Sequence, residues 1–193
     1  MEKATRPGTA SEVLISSSEI AKRVSELATE ISEEYARSDL LALVILRGGF
    51  VFASDLLRRL DPAINVAIDF MTVTSYGDRT TSSGEVQVAK EPDLPVEGKD
   101  VLIIEDILET GITLEFVRDR IVARGARSVR FATLLEKAGK RQRDVASDYV
   151  GFQIPDVFVV GYGLDHAQKY RNLPEIRVFA PDITAPTESN AER

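Results

Sequence analysis

Cysteine and tryptophan are absent from this chain, histidine occurs once, and methionine twice. Without cysteine there is no disulfide, no thiolate zinc site and no cysteine nucleophile. A single imidazole, His166, cannot build a multi-histidine metal centre, so any bound metal is expected to be a hard cation held by oxygen, such as magnesium. Long apolar runs are also missing. The longest is the seven residues Leu40 to Leu46, far below the roughly 18 that a membrane span requires. The segment Met1 to Pro7 lacks the apolar stretch of a signal peptide. Nor is positive charge in excess, since 24 Lys and Arg stand against 31 Asp and Glu for a net charge of −7. That balance argues against nucleic-acid binding, which draws on a basic surface to release counterions. A cytoplasmic enzyme or binding domain with no nucleic-acid and no membrane partner is the expectation.

What is present suits one compact unit. The 193 residues, 44% of them hydrophobic, are expected to form a single domain with loose polar ends at about 1–12 and 182–193. Ser16 and Glu19 have the spacing of a capping box, and Ile20, Val24, Leu27, Ile31 and Tyr35 then recur on one helical stripe. This predicts an amphipathic helix over about 18–36. Leu40 to Leu46 is apolar on both faces, as a parallel strand covered by helices must be. A helix over 50–60 follows, then strands near 65–74, 86–89, 100–104, 129–134 and 157–160. A helix near 113–124 and an irregular charged loop separate the last three. Alternation of this kind predicts an α/β fold with a mostly parallel sheet.

Ligands of such sheets bind beyond the carboxyl ends of the strands. The residues after the buried runs are chemically unusual: Arg47 to Gly49, Glu105 to Thr113, Lys137, and Gly161 to Asp165. The stretch from Val101 to Thr113 runs from a buried strand into three carboxylates, a glycine, two threonines and a helix start. Helix-terminal amides and threonine hydroxyls at that point would cradle a phosphate. It is not a Walker loop, because Gly-Lys-Ser/Thr is absent, and Gly161-Tyr162-Gly163 lacks the third glycine of a dinucleotide turn. Glu105 and Asp106, as acceptor-only groups beside a phosphate site, suit sugar hydroxyls or magnesium. The polar insertion Ser75 to Glu85 reads as a mobile lid or as a plain hairpin tip. The charged run Lys137 to Asp144 reads, apart from Lys137, as a solvated loop, and His166 as a residue at the rim or surface.

The Val101 to Thr113 segment resembles the signature of type I phosphoribosyltransferases. Further stretches resemble the hypoxanthine-guanine phosphoribosyltransferases in particular: Leu46 to Ala53, Asp69-Phe70-Met71 with Ser75-Tyr76-Gly77, Ser83 to Val86, and Asp148 to Asp156. The most specific runs from Phe158 through Asp165 to Tyr170-Arg171-Asn172-Leu173-Pro174. Together these cover about residues 13–180 in order. The resemblance implies a mostly parallel sheet flanked by helices, with a small hood region and a flexible lid loop. It implies transfer of a phosphoribosyl group from phosphoribosyl pyrophosphate to a 6-oxopurine, with magnesium as cofactor and a homodimer or homotetramer as the assembly.

Residue roles follow from the resemblance in the same way. Glu109 stands at the position of the proton-handling carboxylate. Thr110, Gly111, Ile112 and Thr113, with Glu109, would hold the 5′-phosphate. Glu105 and Asp106 would lie against the ribose and serve with Asp165 as metal ligands. Arg47 and Gly48, with a non-proline cis peptide before them, and Arg171 would contact pyrophosphate. Lys137 would donate to the purine's exocyclic oxygen, Phe158 would stack on the base, Val159 would read its edge through the backbone, and Ser75 and Tyr76 would belong to the lid. Two positions depart from the family's usual residues: Glu109 replaces aspartate, and Arg47 replaces lysine. The alternatives are a transferase for xanthine or another base, and a nucleotide-sensing regulator on the same fold.

Overall fold

The structure, a computed structural model, describes residues 9–36, 38–76 and 85–180. Strand β1 (Thr9–Ile15) leads into helix α1 (Ser17–Glu34), then β2 (Asp39–Leu46), α2 (Phe50–Leu57), β3 (Asn65–Tyr76) and β4 (Glu85–Lys90). The chain continues through β5 (Asp100–Leu108), α3 (Ile112–Ala123), β6 (Ser128–Lys137), β7 (Tyr149–Ile154), β8 (Val159–Val160) and β9 (Ile176–Ala180). Six strands form one sheet in the order β4-β3-β2-β5-β6-β7, parallel except for β4. The other three make a small antiparallel sheet in the order β1-β9-β8, which is the expected hood.

Helix α1 starts as its sequence demands. The Ser16 hydroxyl accepts from the Glu19 amide while the Glu19 carboxylate accepts from the Ser16 amide, closing a capping box. Its stripe of Ile20, Val24, Leu27 and Ile31 is buried. The double-sided apolar character of β2 is used in full. Leu40, Ala42 and Val44 face the core beneath α1 and α2, and Leu41, Leu43 and Ile45 face the core beneath α3. Burial of both faces is what the seven-residue apolar run requires.

Three strands escape the sequence reading. Residues 9–12, expected to be loose, belong to β1, whose partner β9 lies far along the chain. Strand β7 occupies part of what reads as an irregular loop. It forms the sheet's edge, and Gly151 lets it approach β6 so closely that a Cβ there would lie 2.3 Å from the Leu134 carbonyl oxygen. The polar insertion begins and ends as the antiparallel β3–β4 hairpin, while its centre lies outside the described residues, as does the expected loose end at 182–193.

Asp69 ties β3 to the segment that follows β4. Its buried carboxylate accepts from the amides of Phe70 and Leu94, each at 2.7 Å. Burial alone would raise its pKa, but the amides of Leu94, Phe70 and Asp93 and the Lys90 charge outweigh it and hold the carboxyl below its ordinary value. A carboxyl depressed on folding stabilises the fold above its unfolded pKa and loses that contribution as pH falls through the folded value. Asp69→Ala is expected to cost about 2 kcal/mol at neutral pH. Measured by urea unfolding, the gap to the parent should narrow below about pH 4, and an equal gap at both ends of the range contradicts the assignment.

Candidate active site

Strand β2 pairs in parallel with β3 on one side and β5 on the other, so the strand order reverses between β2 and β5. Loops leaving the two carboxyl ends must diverge there, and a crevice opens between them. A cleft of 310 Å³ fills this position, lined by Leu46, Glu105, Asp106, Glu109, Thr110 and Gly111 among others. The Leu46–Arg47 peptide is cis. Gly48 is tightly packed: a Cβ there would fall 1.7 Å from Asp106 Oδ2. Only a glycine allows the Asp106 carboxylate to lie directly on this turn.

β5 runs four residues past its expected end at Ile104, so Glu105 and Asp106 both sit on regular strand. Glu105 is buried and Asp106 half-buried. Burial pushes the Glu105 carboxyl well above its ordinary value, and the neighbouring Asp106 charge adds to the rise.

The next residues make the turn into α3. Gly111 has φ of +85°, a left-handed conformation that favours glycine, and its carbonyl receives the first helical bond from the Glu115 amide at 2.9 Å. The amides of Ile112, Thr113 and Leu114 lie ahead of that ladder, at the positive end of the helix. The Ile112 amide donates to the Thr110 hydroxyl at 3.4 Å. A segment read as a solvated loop folds over this turn. The amides of Gln142 and Arg143 both donate to the Thr110 carbonyl, at 2.8 and 3.1 Å, and Arg143 pairs with Glu115 at 3.2 Å. The physical reason is that the Thr110 carbonyl needs a partner where the strand ladder has ended.

Lys137 closes β6. Its ammonium is buried and lies 2.5 Å from Glu109 Oε1 and 3.8 Å from Asp156 Oδ1. A buried ammonium requires such counter-charges. The Ala138 amide donates to the Ile154 carbonyl at 3.3 Å, which ties Lys137 to the connection leading to Phe158. Phe158 is 47% exposed and Val159 is buried. Glu109 and Lys137, each expected to address the purine, contact each other here.

The turn after β8 completes the rim. Gly163, at φ +100°, approaches the first loop so closely that a Cβ would meet the Gly48 carbonyl oxygen at 2.3 Å. Arg171 donates to the Gly163 carbonyl at 2.6 Å and pairs with Asp165 at 2.8 Å. The Gln168 side-chain oxygen accepts from Arg171 at 3.2 Å and from Arg47 at 3.3 Å. Gln168 thus joins two of the expected pyrophosphate contacts, and no sequence signal marked it. Its positive φ of 64° comes from the tight turn. Among the described residues, Asp165, Glu105 and Asp106 do not form one three-carboxylate cluster, because Asp165 is held on the rim by Arg171 and by the Gln168 amide at 2.7 Å. Ser75 and Tyr76 end β3, while their side chains and residues 77–84, the expected lid, lie outside the described residues.

Comparison with known proteins gives the same picture. Residues 13–167 match the phosphoribosyl transferase domain. The chain is 47% identical over 171 residues to the hypoxanthine-guanine phosphoribosyltransferase of Bacillus subtilis (strain 168), a match covering 89% of this chain and 94% of that protein. A hypoxanthine phosphoribosyltransferase structure from Staphylococcus aureus superposes with a TM-score of 0.85 at 43% identity, covering 91% of this chain and 94% of the other. A hypoxanthine-guanine phosphoribosyltransferase structure from Bacillus anthracis gives a TM-score of 0.83 at 40% identity, covering 88% and 99%. Identity of that order over nearly the whole chain places it in the phosphoribosyltransferase family, and within it among the hypoxanthine-guanine phosphoribosyltransferases.

Proposed function

We propose that the chain transfers the 5-phosphoribosyl group of phosphoribosyl pyrophosphate to hypoxanthine or guanine, yielding the nucleoside monophosphate and pyrophosphate in purine salvage. The observation that carries this reading is the 2.5 Å approach of Glu109 to Lys137. A carboxylate at the end of the phosphate loop and a buried ammonium at the end of β6 meet in one place, where a purine can be addressed by both.

In the reaction the bond from the ribose anomeric carbon to pyrophosphate breaks and a bond to the purine imidazole nitrogen forms. The anomeric carbon passes through an oxocarbenium-like state, so anionic charge must be stabilised on the leaving group and water excluded. The amides at the start of α3, with Thr110 and Thr113, hold the 5′-phosphate. Arg171 and Arg47, linked through Gln168, bind pyrophosphate. Glu109 takes the proton that the purine nitrogen loses as it attacks. The Lys137 ammonium donates to a 6-oxo group and has no acceptor for a 6-amino group, which selects against adenine. Phe158 offers the base a ring face, and Val159 offers its main chain.

Magnesium fits the donor set. The groups are hard oxygen acceptors, and Glu105 is a buried carboxyl raised by burial and by a second carboxylate beside it, an arrangement that a divalent cation or ribose hydroxyls would relieve. Magnesium keeps several waters and binds one or two carboxylates plus substrate phosphate, so a three-carboxylate cage is not required. Asp165 on the rim, or Glu105 and Asp106 in the cleft, would hold it. When bound it supplies charge neutralisation to the pyrophosphate.

We also propose a cytoplasmic homo-oligomer. Phe50 at the start of α2 and Ile68 and Phe70 on β3 are exposed, an apolar set that a second copy would cover. No helix among the described residues is long and apolar enough to cross a membrane.

Pyrophosphate release with phosphoribosyl pyrophosphate and magnesium, offering hypoxanthine, guanine, xanthine, adenine and uracil separately, tests the function. Turnover with hypoxanthine or guanine and little with adenine is expected. Turnover confined to xanthine or uracil, or none from folded protein that still binds GMP, contradicts it and favours the other-base or sensor readings. Glu109→Gln is expected to lower kcat about 100-fold, whereas equal turnover removes Glu109 from proton handling. Lys137→Met should narrow the preference for hypoxanthine over adenine. Sedimentation should return twice or four times the 21.3 kDa chain mass, and a monomer at all concentrations contradicts the assembly.

A further inference from the structure

Four aromatic rings meet where the rim turn folds back on the small sheet. Phe179, on β9, is buried and is the hub. His166 lies 4.4 Å from it between ring centroids, tilted by 30°. Phe158 lies at 5.7 Å and 65°, and Tyr170 at 5.7 Å and 56°. His166 and Phe158 also meet edge-on, at 5.7 Å and 89°. These separations fall in the range where aromatic quadrupoles attract, and edge-to-face or offset rings are favoured over a sandwich.

The arrangement acts on a ring that would otherwise be loose. Phe158 precedes a strand of two residues and is about half exposed, so its own surroundings bury too little of it to select one ring orientation. His166 and Phe179 supply the missing restraint from two directions. The main chain adds a third, because the Phe179 amide donates to the Phe158 carbonyl at 2.8 Å. His166 is itself fixed by a pair of backbone hydrogen bonds with Lys169, at 3.2 and 3.0 Å. Its Nδ1 is buried and meets no hydrogen-bond partner among the described residues. An imidazole so placed contributes its flat shape, and a benzene ring would fill the site without leaving a polar atom unpaired.

We propose that His166 and Phe179 are positioning residues for purine binding, holding the ring of Phe158 in the plane on which the base stacks. This rests on the reading of Phe158 as the stacking partner. A ring already held in its bound orientation loses little freedom when the base arrives, so the effect belongs to purine affinity and not to the chemical step.

The test is steady-state kinetics of His166→Ala, Phe179→Leu and His166→Phe, with thermal unfolding of each. His166→Ala and Phe179→Leu are expected to raise KM for hypoxanthine about three- to tenfold, with kcat and KM for phosphoribosyl pyrophosphate changed less than about twofold. His166→Phe is expected to restore the parental KM. Phe179 is buried, so if Phe179→Leu fails to fold, the half-buried His166 alone decides the matter. An unchanged purine KM in folded His166→Ala overturns the proposal. So does a parallel loss in kcat and in both KM values, which marks a general lesion, and so does a His166→Phe variant as impaired as His166→Ala. Calorimetric binding of GMP reads the same platform without turnover. Weaker GMP binding in the truncations, restored in His166→Phe, supports the positioning role even in a chain that transfers nothing, and that pattern would count against the transferase reading alone.

Discussion

Parallel pairing of β2 on both of its edges governs where everything else can lie. With β3 on one side and β5 on the other, the two loops that leave the sheet beside each other belong to segments about sixty residues apart. The run Leu40 to Leu46 permits this because it is apolar on both faces, so α1 and α2 can cover one side while α3 covers the other. Remove either layer and half of that run faces water. The cleft is thus a by-product of core packing: the same pairing that buries the sheet sets the carboxyl ends of β2 and β5 side by side and sends their loops to opposite faces.

Close main-chain approaches then bring the third part of the site, the rim, onto this crevice. Gly163 lies against the Gly48 carbonyl, and Gly48 lies against the Asp106 carboxylate. Rim, β2 loop and β5 loop are stacked in that order, main chain against main chain at Gly163 and Gly48, and main chain against the Asp106 carboxylate at Gly48. Tyr162 anchors the rim from behind, its hydroxyl donating to Asp55 on α2 at 2.7 Å. Charge is distributed along this stack in compensated pairs, Lys137 with Glu109 and Arg171 with Asp165. Glu105 stands apart, raised by burial and by its acidic neighbour. Pairing of this kind leaves neither the Lys137 nor the Arg171 cation bare in a low-dielectric setting.

The legible parts were those whose signal is local. The candidate phosphate loop is one continuous stretch, and strand, carboxylates, glycine and helix start appear in the sequence in the order in which the fold places them. The capping box at Ser16 and Glu19 is likewise contained in four residues. What stayed hidden depends on distant partners. β1 finds its partner, β9, only across most of the chain, and β9 lies between β1 and the two-residue β8. β7 carries a glycine, which weakens a strand pattern although its purpose here is close contact with β6. Gln168 reads as an ordinary polar residue until the turn places its side-chain oxygen between two arginines. The loop at Gln142 and Arg143 looks like solvated charge, yet it holds the Thr110 carbonyl through two backbone amides, which carry no residue identity. The resemblance named the roles of Glu109 and Lys137, but their contact with each other depends on how β5 and β6 end side by side.

In the proposed function, the cleft opened by the strand reversal beside β2 receives phosphate at the start of α3, and the purine lies beyond it, on Phe158. A crystal structure of the chain with GMP tests it most directly. The account predicts the 5′-phosphate within hydrogen-bond distance of the Thr110 to Thr113 turn, the guanine ring stacked on Phe158, and its 6-oxo group facing Lys137. Phosphate bound away from the α3 start, or guanine seated elsewhere than on Phe158, would contradict it.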